Sequence, residues 1–303
     1  MFESIAGNEP IKAYLTKALR ENQLPQTLLF GGMDGIGKNL FAKAIAERLL
    51  GSDRSPDLHF LAPEGKSGLY AIDTLREMID KEHSAPFEAP GKVFILADAQ
   101  RMQPASANAL LKTLEEPTPD TTFILLTSAA HELLPTILSR CVSLSFQPLE
   151  EEAIAALLTA KGHPTRFAKL AHGSAGRAFE LAECPELEDQ RKILFEILGE
   201  RPPYYVISSQ LEKLEEGIEE QKEEDPVKAS RRAEYLFIYI LMWHRDQHLR
   251  KLEARPELLF FPEEPVAKNF LNLRVIEKSV EEARLAYQRN IKLSVCIKSA
   301  INI

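Results

Sequence analysis

The stretch "GGMDGIGKNL", residues 31–40, decides the fold of this chain. Gly32, four intervening residues, Gly37 and Lys38 have the spacing of a phosphate-binding loop, and Gly35 adds a further glycine. Glycines let the backbone N–H groups turn inward around phosphate oxygens, and the lysine reaches the terminal phosphates. An apolar run, "TLLFGG", precedes the loop and a helical pattern, "NLFAKAIAERLL", follows it. The stretch therefore predicts a P-loop domain.

Two residues of this predicted nucleotide site depart from the usual pattern. Asn39 stands where a serine or threonine hydroxyl normally binds Mg²⁺, and its amide oxygen is a weak substitute at a different reach. The apolar run "KVFILAD" ends at Asp98, the position of a Walker B aspartate, but Ala99 follows where ATP-hydrolysing enzymes usually have a glutamate. Because such water-orienting groups contribute factors of roughly 10² to 10⁴, we expect little autonomous ATPase activity. The sequence leaves open whether ATP or ADP still binds at Lys38.

The first half of the chain alternates between strand and helix patterns. Strands are predicted at "TLLFGG", "KVFILAD", "TTFILLTS" and "CVSLSF", and amphipathic helices lie between them. This alternation predicts a parallel sheet covered on both faces. From Leu149 onward the patterns are helical throughout. We therefore predict a P-loop domain at 1–148, a small helical domain at 149–184 and an all-α domain at 185–303.

Composition excludes several classes of protein. The chain has 303 residues and a net charge of −8, which argues against a large basic face and against strong autonomous binding of DNA or membranes. Its three cysteines are far apart, which excludes a four-cysteine zinc site and predicts a reduced, cytoplasmic setting. The N-terminus does not resemble a signal peptide, and the longest apolar run, 235–243, is too short to span a bilayer. Acidic residues outnumber basic ones between 200 and 225, which indicates a solvated helix face or an acidic loop.

Three segments together resemble the bacterial clamp-loader family, the AAA+ proteins of the DNA polymerase III holoenzyme. They are "ANALLKTLEEP" (107–117), "LLPTILSRC" (133–141) and "HPTRFAKLAHGSAGRA" (163–178). A fourth, "PDLHFLAPEGKSG" (56–68), is more similar to the delta-prime branch of that family than to the gamma/tau branch. The resemblance covers about the first 180 residues, and the last third matches only in being helical.

The resemblance implies an architecture and a role. The architecture is a RecA-like AAA+ P-loop domain, a helical lid and a C-terminal helical collar that mediates oligomerisation. The implied role is that of a stator subunit, which assembles with gamma/tau and delta subunits and helps load the sliding clamp on primed DNA during replication. Such a chain is part of a DNA polymerase complex but has little ATPase activity of its own. The alternative is a catalytically active motor subunit of the gamma/tau type, against which Asn39 and Ala99 argue.

The resemblance also assigns roles to residues outside the loop. In the family, the arginine of the Ser-Arg-Cys stretch completes the ATP site of the neighbouring subunit, which makes Arg140 an arginine finger. Without the resemblance, the pattern alone favours a surface arginine that caps the end of the short helix 136–139. Thr127 lies where AAA+ proteins sense the terminal phosphate, and Arg177 lies where a second sensor arginine is found. With the site degenerate, both are also compatible with purely structural roles.

Neither the segment after the P-loop helix nor a second Gly-Lys-Ser predicts a binding site. Relatives usually have a four-cysteine zinc module after the P-loop helix, but this chain runs "LLGSDRSPDLH" (49–59) without a cysteine, so we expect no zinc and no required cofactor. A second Gly-Lys-Ser occurs at 65–67, but Phe60 occupies the position where a second P-loop would need its first glycine.

Overall fold

The computed structural model describes residues 1–63, 68–224 and 226–302, and the side chains at 223, 224, 226 and 227 are not described. The chain divides into two compact units, Met1–Glu180 and Leu181–Ile303. The second Gly-Lys-Ser lies outside the described residues, as does Asp225 at the end of the acidic stretch.

The first unit contains a five-stranded sheet. Its strands are β1 (Thr27–Gly31), β2 (Leu58–Leu61), β3 (Lys92–Leu96), β4 (Thr121–Thr127) and β5 (Val142–Ser145). They are arranged in the order β2-β3-β4-β1-β5, and each neighbouring pair is parallel. Parallel pairing brings the carboxyl ends of the strands to one edge, where the P-loop follows β1.

Among the described residues, eight α-helices surround or follow this sheet. They are α1 (Glu9–Arg20), α2 (Lys38–Leu50), α3 (Ile72–His83), α4 (Pro104–Glu115), α5 (Pro135–Leu138), α6 (Glu151–Ala160), α7 (Arg166–Leu170) and α8 (Ala175–Ala182). Successive residues of β4 enter different cores: Ile124 packs in the cluster that contains Ile45 of α2, whereas Phe123 packs with Leu75 of α3 and Leu110 of α4. Both faces of the sheet are therefore covered, as the uninterrupted apolar runs of the inner strands predict.

The α/β prediction is confirmed, with one strand added. The four predicted strands are β1, β3, β4 and β5. The edge strand β2 was not predicted, because "LHFL" is only four residues long and its side chains are half-buried or exposed rather than alternating. The predicted boundary between 148 and 149 lies inside the first unit and stays a prediction. The division between the two units follows residue 180, four residues before the second predicted boundary at 184.

The second unit is helical. It contains α9 (Pro185–Glu200), α10 (Tyr204–Glu224), α11 (Pro226–Lys251), α12 (Leu273–Gln288) and α13 (Leu293–Ala300). Polar side chains of α11 hold the segment that follows it: the carboxylate of Asp246 accepts hydrogen bonds from the backbone N–H groups of Phe260 and Phe261, each at 2.8 Å. Much of the acidic stretch lies on α10 with exposed side chains, among them Glu212, Glu216 and Glu220, which supports the interpretation as a solvated helix face.

Candidate functional site: the glycine-rich loop and Arg140

The predicted P-loop lies between β1 and α2. Gly32, Gly35 and Gly37 have φ angles of 146°, 75° and 101°, in the range that L side chains rarely adopt. Gly35 also has no room for a side chain, because a Cβ there would lie 2.3 Å from the hydroxyl oxygen of Ser174. The α2 helix begins at Lys38, so its N-terminal N–H groups face the loop as an anion site requires. The loop thus has the backbone shape that its glycines predicted.

Lys38 is turned onto the loop itself. Its ammonium donates hydrogen bonds to the carbonyl oxygens of Gly32 and Met33, the latter at 2.8 Å, and lies 3.7 Å from the Asp34 carboxylate. The residue is only 7% exposed. Burial lowers the pKa of Lys38, and the nearby carboxylates of Asp34 and Asp98 partly oppose this shift. The side chain that would reach terminal phosphates is therefore already satisfied by groups of its own chain.

Asn39 follows Lys38 on the first turn of α2, and its side chain is exposed. Within the described residues, the Asn39 amide makes no hydrogen bond to the loop or to Asp98. The structure thus offers no compensating contact for the missing hydroxyl of the motif.

Asp98 and Thr127 are connected by a residue that the sequence analysis missed. The Gln100 amide nitrogen donates to Asp98 Oδ1 at 3.3 Å and to Ser128 Oγ at 3.2 Å, and the Thr127 hydroxyl donates to Gln100 Oε1 at 2.8 Å. Ala99, between Asp98 and Gln100, is fully buried and brings no polar group to the site. The carboxylate expected near a metal is instead bonded to a side-chain amide. A glutamine four residues after the end of a strand belongs to no motif, so no sequence signal pointed to it.

Ser174 and the first turn of α8 are hydrogen-bonded to the tip of the P-loop. The Ser174 hydroxyl donates to the Asp34 carbonyl at 2.7 Å, and the Gly176 backbone N–H donates to the Gly35 carbonyl at 2.9 Å. The residue that meets the loop is thus Gly176. Arg177, the predicted sensor, is one position further along the helix, and its backbone N–H donates to Ser174 Oγ at 3.1 Å. Within the described part of the chain, the Arg177 guanidinium has no hydrogen-bond partner.

Arg140 lies between the ends of α4 and α5. Its Nε and Nη2 donate to Glu115 Oε2 at 3.2 and 2.8 Å, and its Nη1 donates to the Thr136 carbonyl at 3.0 Å. Among the described residues, its hydrogen-bond partners do not include any residue of the P-loop. Burial raises the pKa of the adjacent Cys141 to about 12, which leaves that thiol protonated and unsuited to act as a nucleophile.

Among residues 1–63, 68–224 and 226–302, no three His, Cys, Asp or Glu side chains are grouped so that they would hold a metal ion. No helix in the same ranges combines the length and the apolar character needed to cross a bilayer.

Comparison with known proteins relates the chain to replication proteins. Residues 7–150 match the family described as DNA polymerase III, delta subunit. The chain is 32% identical over 212 residues to DNA polymerase III subunit delta' of Bacillus subtilis, a match that covers 62% of this chain and 64% of the relative. It is 31% identical over 171 residues to DNA polymerase III subunit gamma/tau of Mycoplasma pneumoniae, which covers 50% of this chain and 25% of that one. The matched regions thus span just under two thirds and one quarter of these relatives.

A solved structure supports the fold over nearly the whole chain. The gamma subunit-related protein of DNA polymerase III from Thermotoga maritima superposes with a TM-score of 0.53 at 16% identity, covering 95% of this chain and 97% of that one. At this identity the likeness concerns the fold alone. It confirms the predicted α/β fold with a helical C-terminal region.

Proposed function

We propose that this chain, whose residues 7–150 match the family described as DNA polymerase III, delta subunit, serves as a delta-prime subunit of a bacterial clamp loader. In this proposal it assembles in the cytoplasm with gamma/tau and delta subunits and helps to load the sliding clamp onto primer–template DNA. It hydrolyses little or no ATP itself and donates Arg140 to the ATP site of a gamma/tau neighbour.

The observation that carries the proposal is the state of the chain's own nucleotide site. Asp98 is bonded to the amide of Gln100, and the buried Ala99 provides no base. Asn39 provides no hydroxyl for a metal. Each of these features weakens in-line attack by water, which depends on a metal and an oriented nucleophile. A subunit of this kind fits a structural role in a ring better than a motor role.

Arg140 supports the trans part of the proposal. A guanidinium is permanently charged and planar, and it can donate to two phosphate oxygens at once. Arg140 is partly exposed, with 28% of its side chain accessible, and its contacts are with α4 and α5 rather than with the chain's own loop. Fingers supplied in trans contribute roughly 10³- to 10⁵-fold in well-studied phosphoryl-transfer systems.

The first experiment tests the chain by itself. The purified protein is titrated with ATP and Mg²⁺, and phosphate release is then measured. We expect release far below that of a complete clamp loader, whether or not nucleotide binds at Lys38. Turnover comparable to that of the complete loader would instead favour the motor alternative and contradict the proposal.

The second experiment tests Arg140 in a reconstituted complex with gamma/tau and delta subunits. Arg140→Ala should lower ATP turnover and clamp loading while the complex still assembles. Arg76→Ala is a matched control, because Arg76 is also an arginine in an exposed ion pair, at 3.3 Å from Asp73. Unchanged turnover in Arg140→Ala would refute the arginine-finger assignment.

A further inference from the structure

The guanidinium of Arg140 is held on two sides before any partner is present. Oε2 of Glu115 accepts from Nε and Nη2, the side edge of the guanidinium, at 3.2 and 2.8 Å. The Thr136 carbonyl accepts from Nη1 at 3.0 Å, and the Ser139 hydroxyl lies 3.4 Å from the same nitrogen. The guanidinium has five N–H donors, one on Nε and two on each Nη. The bonds to Glu115 and Thr136 leave one N–H of Nη2 free and leave one N–H of Nη1 with only the long contact to Ser139. The distal edge, formed by Nη1 and Nη2, is the edge left for an incoming anion.

The position of Glu115 is not explained by the stability of its own helix. It is the last residue of α4, where the partial negative charge of the helix end disfavours a carboxylate. The neighbouring Glu116 shares this disadvantage, and within the described residues its carboxylate has no hydrogen-bond partner. Glu115 differs from it in being paired with Arg140. The unfavourable charge at the helix end is thus offset by a cation that lies close to the C-terminal ends of both α4 and α5.

We infer that Glu115 is a positioning residue for Arg140: it holds the side edge of the guanidinium so that the distal edge faces a phosphate of the neighbouring subunit. This inference rests on the proposed function of Arg140. A free arginine side chain samples many rotamers, and only some of them place the distal edge outward. By fixing the side edge, the Glu115 carboxylate raises the fraction of time that Arg140 spends in the orientation shown.

The expected effect is modest because the pair is partly exposed. The side chains of Arg140 and Glu115 are 28% and 58% accessible. Exposed ion pairs are usually worth little, and measured couplings correspond to population changes of roughly 1.4- to 5-fold. We therefore expect Glu115→Ala to lower turnover by a factor in this range. The loss should appear in kcat with KM for ATP unchanged, since the site that binds ATP belongs to the other subunit.

The experiment uses the reconstituted clamp loader and measures ATP turnover at varied ATP concentration. Glu115→Ala is compared with Glu116→Ala, which changes the same residue type one position away and should leave turnover unaltered. Glu115→Gln retains an acceptor oxygen without the charge and should give an intermediate kcat. Urea unfolding of each variant of this chain by itself shows whether a loss of turnover comes from a loss of stability.

A double-mutant cycle separates this inference from the proposed function. In an Arg140→Ala background, Glu115→Ala should have no further effect, because the residue acts through Arg140. An equal loss in both backgrounds would show a general structural role and overturn the inference. If Arg140→Ala lowers turnover but Glu115→Ala does not, or raises it, the finger stands and the positioning role falls. If Arg140→Ala has no effect, the finger assignment itself fails and the inference fails with it.

Discussion

The contact between Gly35 and Gly176 gives a direct test of how the start of α8 packs against the tip of the P-loop. Gly176 lies near the start of α8, and a Cβ there would be 2.8 Å from the Gly35 Cα and 3.5 Å from its carbonyl oxygen. Both are backbone atoms, so neither can move aside by changing a rotamer. Gly176→Ala should therefore push the α8 segment away from the P-loop tip and weaken the Gly176 N–H hydrogen bond to Gly35.

The magnitude follows from two opposing terms. Replacing a glycine inside a helix by alanine normally stabilises a protein by roughly 0.5–1 kcal/mol. Inserting a methyl group into a filled space costs roughly 1–3 kcal/mol. Gly199→Ala in α9 is the matched control, because a Cβ at that position meets nothing within 4 Å. The helix term is common to both variants, so Gly176→Ala should change the free energy of unfolding less favourably than Gly199→Ala by about 1–3 kcal/mol.

The assay has to distinguish the two compact units. Trp243 is the chain's single tryptophan and lies in the unit 181–303, so its fluorescence during urea unfolding reports the effect of Gly199→Ala. Hydrogen exchange of the β1 backbone amides reports the effect of Gly176→Ala in the unit 1–180. A Gly176→Ala protein that gains as much stability as Gly199→Ala would refute the close contact and the fastening of the loop.

Two further predictions concern buried ionisable groups. The buried carboxylate of Asp57 accepts hydrogen bonds from the backbone N–H groups of Ala89, Glu88 and Phe87. Burial opposes the ionisation of Asp57, but these bonds outweigh burial and lower its pKa. Asp57→Asn should therefore lower the free energy of unfolding by roughly 1–3 kcal/mol, measured by urea unfolding at pH 7. Because the folded pKa is lowered, that cost should be full above about pH 4 and should shrink as the pH falls through the folded pKa; a cost independent of pH would contradict this account. Burial lowers the pKa of His244 to about 4, so the folded chain should keep this imidazole neutral at pH 5.5. Between about pH 6.5 and 4 the unfolded chain binds this proton and the folded chain does not. The free energy of unfolding of residues 181–303 should therefore fall as the pH decreases, by up to about 1.4 kcal/mol per pH unit. NMR titration of the histidine ring signals checks this, and a His244 midpoint near 6.5 would refute it.

The sequence predicted those parts of the molecule that depend on local chemistry. The P-loop was predictable because its glycines and Lys38 lie within one short stretch, and each glycine has a conformation that other residues avoid. The inner strands were predictable because burial on both faces requires uninterrupted apolar runs. The edge strand β2 lacks that requirement, and its pattern gave no signal.

The parts that escaped prediction depend on residues far apart in the chain. Gln100 matters because folding brings Thr127 and Ser128 to its side chain, and Gly176 matters because folding brings it to Gly35. Neither residue belongs to a motif with its partner. Arg140 was predicted only in part. Its role was inferred from a resemblance, whereas its ion pair with Glu115 became visible only in the structure.

The inward orientation of Lys38 has a consequence for how the protein is maintained in the cell. Many nucleotide-binding proteins gain stability from their ligand, so their folded population rises and falls with nucleotide concentration. Here the lysine supplies the loop carbonyls with an internal cation, and the fastening by Ser174 and Gly176 holds the tip. We therefore expect nucleotide to add little to the free energy of unfolding of this protein. Its abundance and shape should then not follow the energy charge of the cell.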